Sequence, residues 1–281
     1  MHNWSLSTFP SEDEVTYKLE TYKCNYMLIF SSYNDYTCEI KLDIKWLTLV
    51  FREFEFEIKE HKDLKKAEIM DKLNILRDKD FTEYGCVAVV VLTRGGDGGT
   101  LMAKDGPYNE KEIIEYFKSK TNPTLITKPK ILIVQALRRR IVSALSDCVE
   151  QPDLSYTLNL EPDILILHGF YPGDQDRKKF PGTWLIQLLC YNIPRHSPVL
   201  DLESIITEVK NKSTFDSYKY TQGKYDFEEK MTTISISTLT RRLFFRKYKD
   251  YIEYNEKKFF KKMHEYFKFD NEEYCKFLLY G

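Results

Sequence analysis

The chain of 281 residues is long enough for one large domain or two small ones, with a core that needs no disulfide or metal support. Its 42 Lys and Arg against 43 Asp and Glu leave a net charge of −1, which disfavours nucleic acid as a main partner because phosphate binding needs a basic surface. With 42% hydrophobic residues, 11 Gly and 10 Pro, the composition excludes collagen-like and low-complexity chains.

Hydrophobic periodicity predicts strands that alternate with helices. Residues 87–92 form a continuous run of apolar, mostly β-branched side chains, which is typical of a strand buried on both faces. In chain order we predict a strand at 27–30, a helix at 43–53, a strand at 54–58, a helix at 65–76, a strand at 87–92, a helix around 113–117, strands at 131–134 and 164–167, helices at 183–193 and 202–210, and a strand at 232–238. This order predicts an α/β fold with a mostly parallel sheet covered by helices on both faces.

The sequence favours a cytoplasmic protein that carries no cofactor. Its first residues lack a basic stretch followed by an apolar run, so we expect no signal peptide. No stretch reaches the roughly 18 apolar residues of a membrane-spanning helix. The six cysteines show no C-x-x-C spacing and are expected to be reduced thiols. No histidine pair or carboxylate cluster has metal-binding spacing, so no metal is expected.

A functional site is expected where the strands at 87–92 and 131–134 end, because parallel sheets bind ligands at their carboxyl edge. The first of these ends continues into a glycine-rich turn at 94–99. This turn has neither the G-K-[ST] of a P-loop nor the G-x-G-x-x-G of dinucleotide-binding loops. An anion-binding loop and a tight turn that needs positive φ both stay open, and the sequence favours the tight turn.

Three segments carry a resemblance to a known family: L-T-R-G at 92–95, Q-A-L-R-R at 135–139 and G-T-W-L-I-Q-L-L-C at 182–190. They stand in the same order along the chain as motifs of the caspase family, which this sequence resembles. In the family's catalytic subunit an apolar strand ends L-S-H-G and a K-P-K strand ends Q-A-C-R-G; here L-T-R-G stands at 92–95 and Q-A-L-R-R at 135–139. The small subunit is resembled by P-G at 172–173, G-T-W-L-I-Q-L-L-C at 182–190 and S-I-S-T-L-T-R-R-L-F-F at 235–245. The resemblance implies a caspase-like sandwich with a sheet of about six strands.

The resemblance identifies two positions that depart from the family's catalytic pattern. Arg94 stands at the position of the general base, a histidine, and Leu137 stands at the position of the nucleophilic cysteine. Arginine stays protonated at neutral pH, and leucine has no nucleophilic atom. Because a base and its nucleophile act as a unit, we expect no catalytic residues and no proteolytic activity.

The family's substrate pocket is expected to survive only in part. Gly95 and Gln135 match pocket residues, and Arg177 is the candidate for one of the family's aspartate-binding arginines, in a segment that is one residue short. The other family arginine has no counterpart in 32–39. His168 lies at the predicted end of its strand, where it is a replacement base or a residue of the substrate groove; the groove is favoured because no cysteine lies in the adjoining turns.

The resemblance divides the chain into parts of one caspase-like domain at 22–245. We predict an N-terminal lead-in at 1–21, a large-subunit-like part at 22–137, an intersubunit connection at 138–162, a small-subunit-like part at 163–245 and a C-terminal helical extension at 246–281. The connection is expected to stay uncut. The extension has a basic amphipathic pattern, which suits a partner, a membrane or docking on its own domain; we favour docking.

The last strand is the predicted partner surface. In caspases this strand pairs with the same strand of a second subunit across a two-fold axis. The resemblance therefore places Thr232, Ile234, Ile236 and Thr238 at a dimer interface. The alternative is that this strand is a sheet edge covered by the chain itself. We therefore expect a pseudoprotease that regulates apoptosis by dimerising with an active caspase. A homodimeric scaffold, a protease with non-family residues and an anion-binding protein stay open. Neither nucleic acid nor a membrane is expected as a partner.

Overall fold

The computed structural model describes residues 15–32, 37–95, 98–138, 160–172, 182–215, 217–222, 225–230 and 233–245. The strands in these ranges are β1 (Cys24–Ser31), β2 (Phe56–Lys62), β3 (Tyr84–Arg94), β4 (Thr100–Met102), β5 (Pro107–Asn109), β6 (Lys130–Arg138), β7 (Ile164–Pro172), β8 (Ser217–Gln222), β9 (Tyr225–Lys230) and β10 (Thr233–Ser237). The α-helices are α1 (Thr37–Arg52), α2 (Lys66–Asp78), α3 (Glu110–Ile114), α4 (Trp184–His196) and α5 (Leu202–Phe215).

Six strands form one sheet in the order β10-β7-β6-β3-β1-β2. The neighbouring strands are parallel except for β10, which runs antiparallel to β7. Two separate hairpins, β4–β5 and β8–β9, lie outside this sheet. The predicted α/β fold with a six-stranded, mostly parallel sheet is confirmed.

Helices cover both faces of the sheet because the central strands are apolar on both sides. In β3 every residue between its two terminal ones is buried. Val90 and Leu92 face a core shared with α1, α4 and α5, whereas Val89 and Val91 face a core shared with α2 and α3. The sheet is thus buried on both faces, as its continuous apolar runs predict.

Strand β2 and the two small hairpins differ from the sequence prediction. The alternation at 54–58 predicts a strand, but β2 begins at Phe56 because Phe54 and Glu55 form the turn after α1. Glu55 has a φ of 60° there, and Phe54 is buried in the core from within the turn. The hairpins β4–β5 and β8–β9 are missing from the prediction. The strands of β4–β5 have three residues each, and the sequence of β8–β9, S-Y-K-Y-T-Q and Y-D-F-E-E-K, alternates aromatic with polar residues but has no aliphatic residue, so neither shows the aliphatic run that predicts the other strands.

Parts of the predicted organisation lie outside the described residues. These are residues 1–14, 139–159 and 246–281, which hold most of the predicted lead-in, connection and extension. Strand β6 continues to Arg138, the first residue of the predicted connection. Among the described residues, no helix combines the length and apolar composition needed to cross a membrane.

Candidate functional site

The ends of β3 and β6 bring together Arg94 and Leu137, the two positions that the sequence resemblance assigns to the general base and the nucleophile. The strands are parallel, and their register pairs Leu92 with Gln135, Thr93 with Ala136 and Arg94 with Leu137. Paired Cα positions on adjacent strands lie about 5 Å apart. Arg94 and Leu137 are therefore direct neighbours at the carboxyl edge of the sheet.

The residue types at this edge limit what it can do chemically. Arg94 is half-buried. A guanidinium offers hydrogen-bond donors and a fixed positive charge, but it cannot accept a proton at neutral pH. For Leu137 the structure describes the backbone, and a leucine side chain has no polar atom. This pair of positions suits the binding of an acceptor group at Arg94 better than nucleophilic attack.

The turn after β3 packs closely against β6. A Cβ atom added to Gly95 would lie 2.5 Å from Cβ of Ala136, so this position has no room for a side chain. Further along, Gly98 and Gly99 have φ values of 61° and 74°. Positive φ is what the tight-turn interpretation of 94–99 predicts.

Gln135 is the predicted pocket residue whose side chain the structure describes. It is 3% exposed, and its Oε1 has no hydrogen-bond partner among the described residues. A Cβ atom added to Gly169 on β7 would lie 2.4 Å from this oxygen, which shows how closely β7 approaches it. The amide oxygen is an acceptor held in place beside the strand ends. Arg177 lies outside the described residues.

His168 is not at the end of its strand, so that part of the sequence prediction is wrong. Strand β7 continues to Pro172, because backbone pairing with β6 extends through residues 169–172. The register places Tyr171, not His168, beside Leu137, which leaves His168 about 10 Å back along the strand. His168 lies in the core, too far from the carboxyl edge to act as a base there.

The side chain of His168 interacts with a buried carboxylate, that of Glu110. Its Nε2 lies 2.8 Å from Oε2 of Glu110, and both side chains are almost completely buried. Glu110 is the first residue of α3. Sequence reasoning missed Glu110, because a glutamate in the first turn of a helix is normally solvent-exposed and nothing local marks this one as buried.

The cysteines with described side chains do not offer a replacement nucleophile. Cys24 and Cys86 lie near the beginnings of β1 and β3, at the edge of the sheet opposite Arg94, and Cys190 lies within α4. Burial raises the pKa of all three thiols, so none is a thiolate at neutral pH. The structure does not describe the side chains of Cys38, Cys148 and Cys275. Within the described ranges no cluster of His, Cys, Asp and Glu could hold a metal ion.

The predicted partner surface is the outer edge of the sheet. Strand β10 pairs with β7 and with no other described strand, so one row of its backbone groups faces outwards. Ile234 and Ile236 are half-buried, and Ile236 packs against the core of the α2–α3 face. Thr238 lies just beyond the strand, where its N–H donates to the Ile164 carbonyl. Thr232 lies outside the described residues.

Comparisons with known proteins agree with this architecture. The caspase domain family model matches residues 28–244. Caspase-3 of Mesocricetus auratus is 26% identical over 208 residues, which is 73% of this chain and 75% of that protein. Caspase drICE of Drosophila melanogaster is 25% identical over 210 residues, 72% of this chain and 62% of that protein. The crystal structure of Caspase-1 from Spodoptera frugiperda has a TM-score of 0.69 at 26% identity and covers 83% of this chain and 96% of its own.

Proposed function

The chain belongs to the caspase family, and on that basis we propose that it is a non-catalytic member that regulates apoptosis by pairing with an active caspase in the cytoplasm. The observation that carries the proposal is the direct pairing of Arg94 with Leu137 at the carboxyl ends of β3 and β6. By the family resemblance, these are the positions of the general base and the nucleophile.

Cysteine-protease chemistry needs a thiolate and a group that takes up or stabilises its proton. Arg94 supplies a cation without proton affinity at neutral pH, and Leu137 supplies no nucleophile. Removing one member of such a unit costs about as much as removing all of it, roughly 10⁶-fold in kcat. The raised pKa values of Cys24, Cys86 and Cys190 support the same conclusion, because these thiols stay protonated.

A regulatory role by association is supported by the edge strand β10. Its outward row of N–H and C=O groups is suited to antiparallel pairing with a strand of another subunit, which supplies backbone hydrogen bonds. Ile234 and Ile236 project from one face of β10, where isoleucines of a paired strand would complete their burial. The caspase family to which the chain belongs makes a caspase the matching partner for this edge.

Co-expression with an active effector-type caspase tests the proposal. The complex is captured through a tag on this chain, its mass is measured, and its rate on an aspartyl reporter peptide is compared with that of the caspase alone. We expect a heterodimer whose rate differs from that of the free caspase. A rate unchanged by this chain, or the absence of any heterodimer, contradicts the proposal.

A matched pair of variants locates the contact. Ile236→Lys places a charge on the β10 edge, whereas Ile75→Lys makes the same chemical change on α2, where Ile75 is 61% exposed. We expect Ile236→Lys to abolish co-purification and Ile75→Lys to retain it, with thermal unfolding showing that both variants are folded. Equal retention by the two variants would contradict pairing through β10.

A further inference from the structure

A short N-terminal segment, residues 15–17, is bound to the chain that follows β10. The Tyr17 N–H donates to the Arg242 carbonyl at 3.0 Å, and the Arg242 N–H donates to the Val15 carbonyl at 2.7 Å. Thr16 and Arg242 thereby form an isolated parallel bridge. Two backbone hydrogen bonds thus attach this segment beside the end of the edge strand.

The side chain of Tyr17 extends this attachment into the protein. It is 3% exposed, and its hydroxyl donates to Oδ1 of Asp163 at 2.5 Å while accepting from the Thr240 N–H at 3.1 Å. The Thr240 hydroxyl donates to the same carboxylate oxygen at 2.5 Å. Burial and the Asp163 hydrogen bond raise the pKa of Tyr17 to about 12, so the phenol remains a donor at neutral pH.

Asp163 joins this group to three strands through its backbone. Its N–H donates to the Thr238 carbonyl just after β10, its carbonyl accepts from the Lys130 N–H at the start of β6, and β7 begins at the next residue. Asp163 has a φ of 68°, a conformation that aspartate and asparagine tolerate better than most side chains. The position thus combines an unusual backbone shape with a carboxylate that holds two donors.

From these contacts we propose that Tyr17, Asp163 and Thr240 form a clasp through which the N-terminal segment positions the β10 edge for partner binding. β10 has five residues, and among the described strands it pairs with β7 alone. Short edge strands open locally at low free energy, and an open edge has no fixed register for a partner strand. The clasp fixes the chain directly after β10, so it limits this opening.

Hydrogen–deuterium exchange on the full-length chain without any partner tests the clasp itself. Tyr17→Phe removes only the hydroxyl, and Asp163→Asn removes the charge while keeping a residue that tolerates positive φ. Tyr84→Phe is the matched control, because its hydroxyl donates to Glu57 at 2.7 Å near the opposite edge of the sheet.

We expect amides of 233–242 to exchange roughly 10-fold faster in Tyr17→Phe and Asp163→Asn, as the loss of one buried hydrogen bond produces. Exchange in β3 and β6 should stay within about 2-fold of that of the unchanged protein, and Tyr84→Phe should leave 233–242 unchanged. Unchanged exchange at 233–242 in Tyr17→Phe, or equally faster exchange throughout the core strands, would overturn the clasp.

The effect on partner binding rests on the proposed function and is measured separately, as the affinity for the active caspase. We expect Tyr17→Phe to weaken binding about 5-fold and Tyr84→Phe to leave it unchanged. If the unaltered chain binds no caspase, the proposed function fails, whereas the exchange result still stands for the clasp. If Tyr17→Phe exchanges faster at β10 but binds with unaltered affinity, the control of partner binding by the clasp is refuted.

Discussion

Gly169→Ala should destabilise the protein, because β7 has no room for a methyl group beside the candidate site. The new Cβ would lie 2.4 Å from Oε1 of Gln135, 2.6 Å from Cδ2 of Leu185 and 2.8 Å from Cβ of Leu185. The Gln135 amide can rotate away, but Cβ of Leu185 moves only with the backbone of α4. Strand and helix must therefore separate by several tenths of an ångström. Overpacking of this kind costs about 2–3 kcal/mol.

Urea unfolding at 25 °C measures this effect, with Gly106→Ala as the control. A Cβ atom at Gly106 meets nothing within 4 Å, so Gly106→Ala should raise the free energy of unfolding by no more than about 1 kcal/mol. For an m-value of about 3 kcal/mol/M, we expect Gly169→Ala to lower the unfolding midpoint by about 0.7–1 M without changing m. Midpoints for the two variants within about 0.2 M of each other would refute the close packing of β7 against Gln135 and α4.

Two further predictions concern Arg94 and Tyr17. In a Leu137→Cys variant, the neighbouring Arg94 guanidinium should lower the pKa of the new thiol. The midpoint of its iodoacetamide labelling against pH should therefore lie about one pH unit below that of the double variant Leu137→Cys/Arg94→Leu. Equal midpoints would contradict the register of β3 and β6. Because the pKa of Tyr17 is raised to about 12, the folded state retains this proton longer than the unfolded chain, and its stabilising contribution is lost as pH rises from about 10 to 12. Between pH 9 and 11, the free energy of unfolding measured in urea should fall by about 1 kcal/mol less in Tyr17→Phe than in the unchanged protein. An equal fall in the two proteins would argue against a buried phenol at Tyr17.

The elements that frame the site could be predicted from sequence because their signals are local. The apolar runs of β3 and β6 predict two buried strands. The motifs at the ends of these strands identify Arg94 and Leu137 as the positions of interest. Parallel strands share a carboxyl edge, so these two ends were expected to meet. The structure adds the register, which makes the two residues direct neighbours.

Other features of the site have no local signal. The extension of β7 beyond Leu167 depends on backbone pairing with β6, and this moves His168 from the expected strand end into the core. Its partner Glu110 lies 58 residues away in the sequence. The contact between Tyr17 and Asp163 joins residues that lie 146 positions apart in the sequence. Periodicity describes one element at a time, so it cannot specify such contacts.

The proposed absence of catalysis is tested most directly by incubating the purified chain with a fluorogenic aspartyl reporter peptide. The pairing of Arg94 with Leu137 predicts a rate equal to that of a mock purification, unchanged by Leu137→Ala or His168→Gln. A steady rate above that of the mock purification that co-elutes with the chain would contradict the account, and its persistence in both variants would show a peptidase that uses other residues.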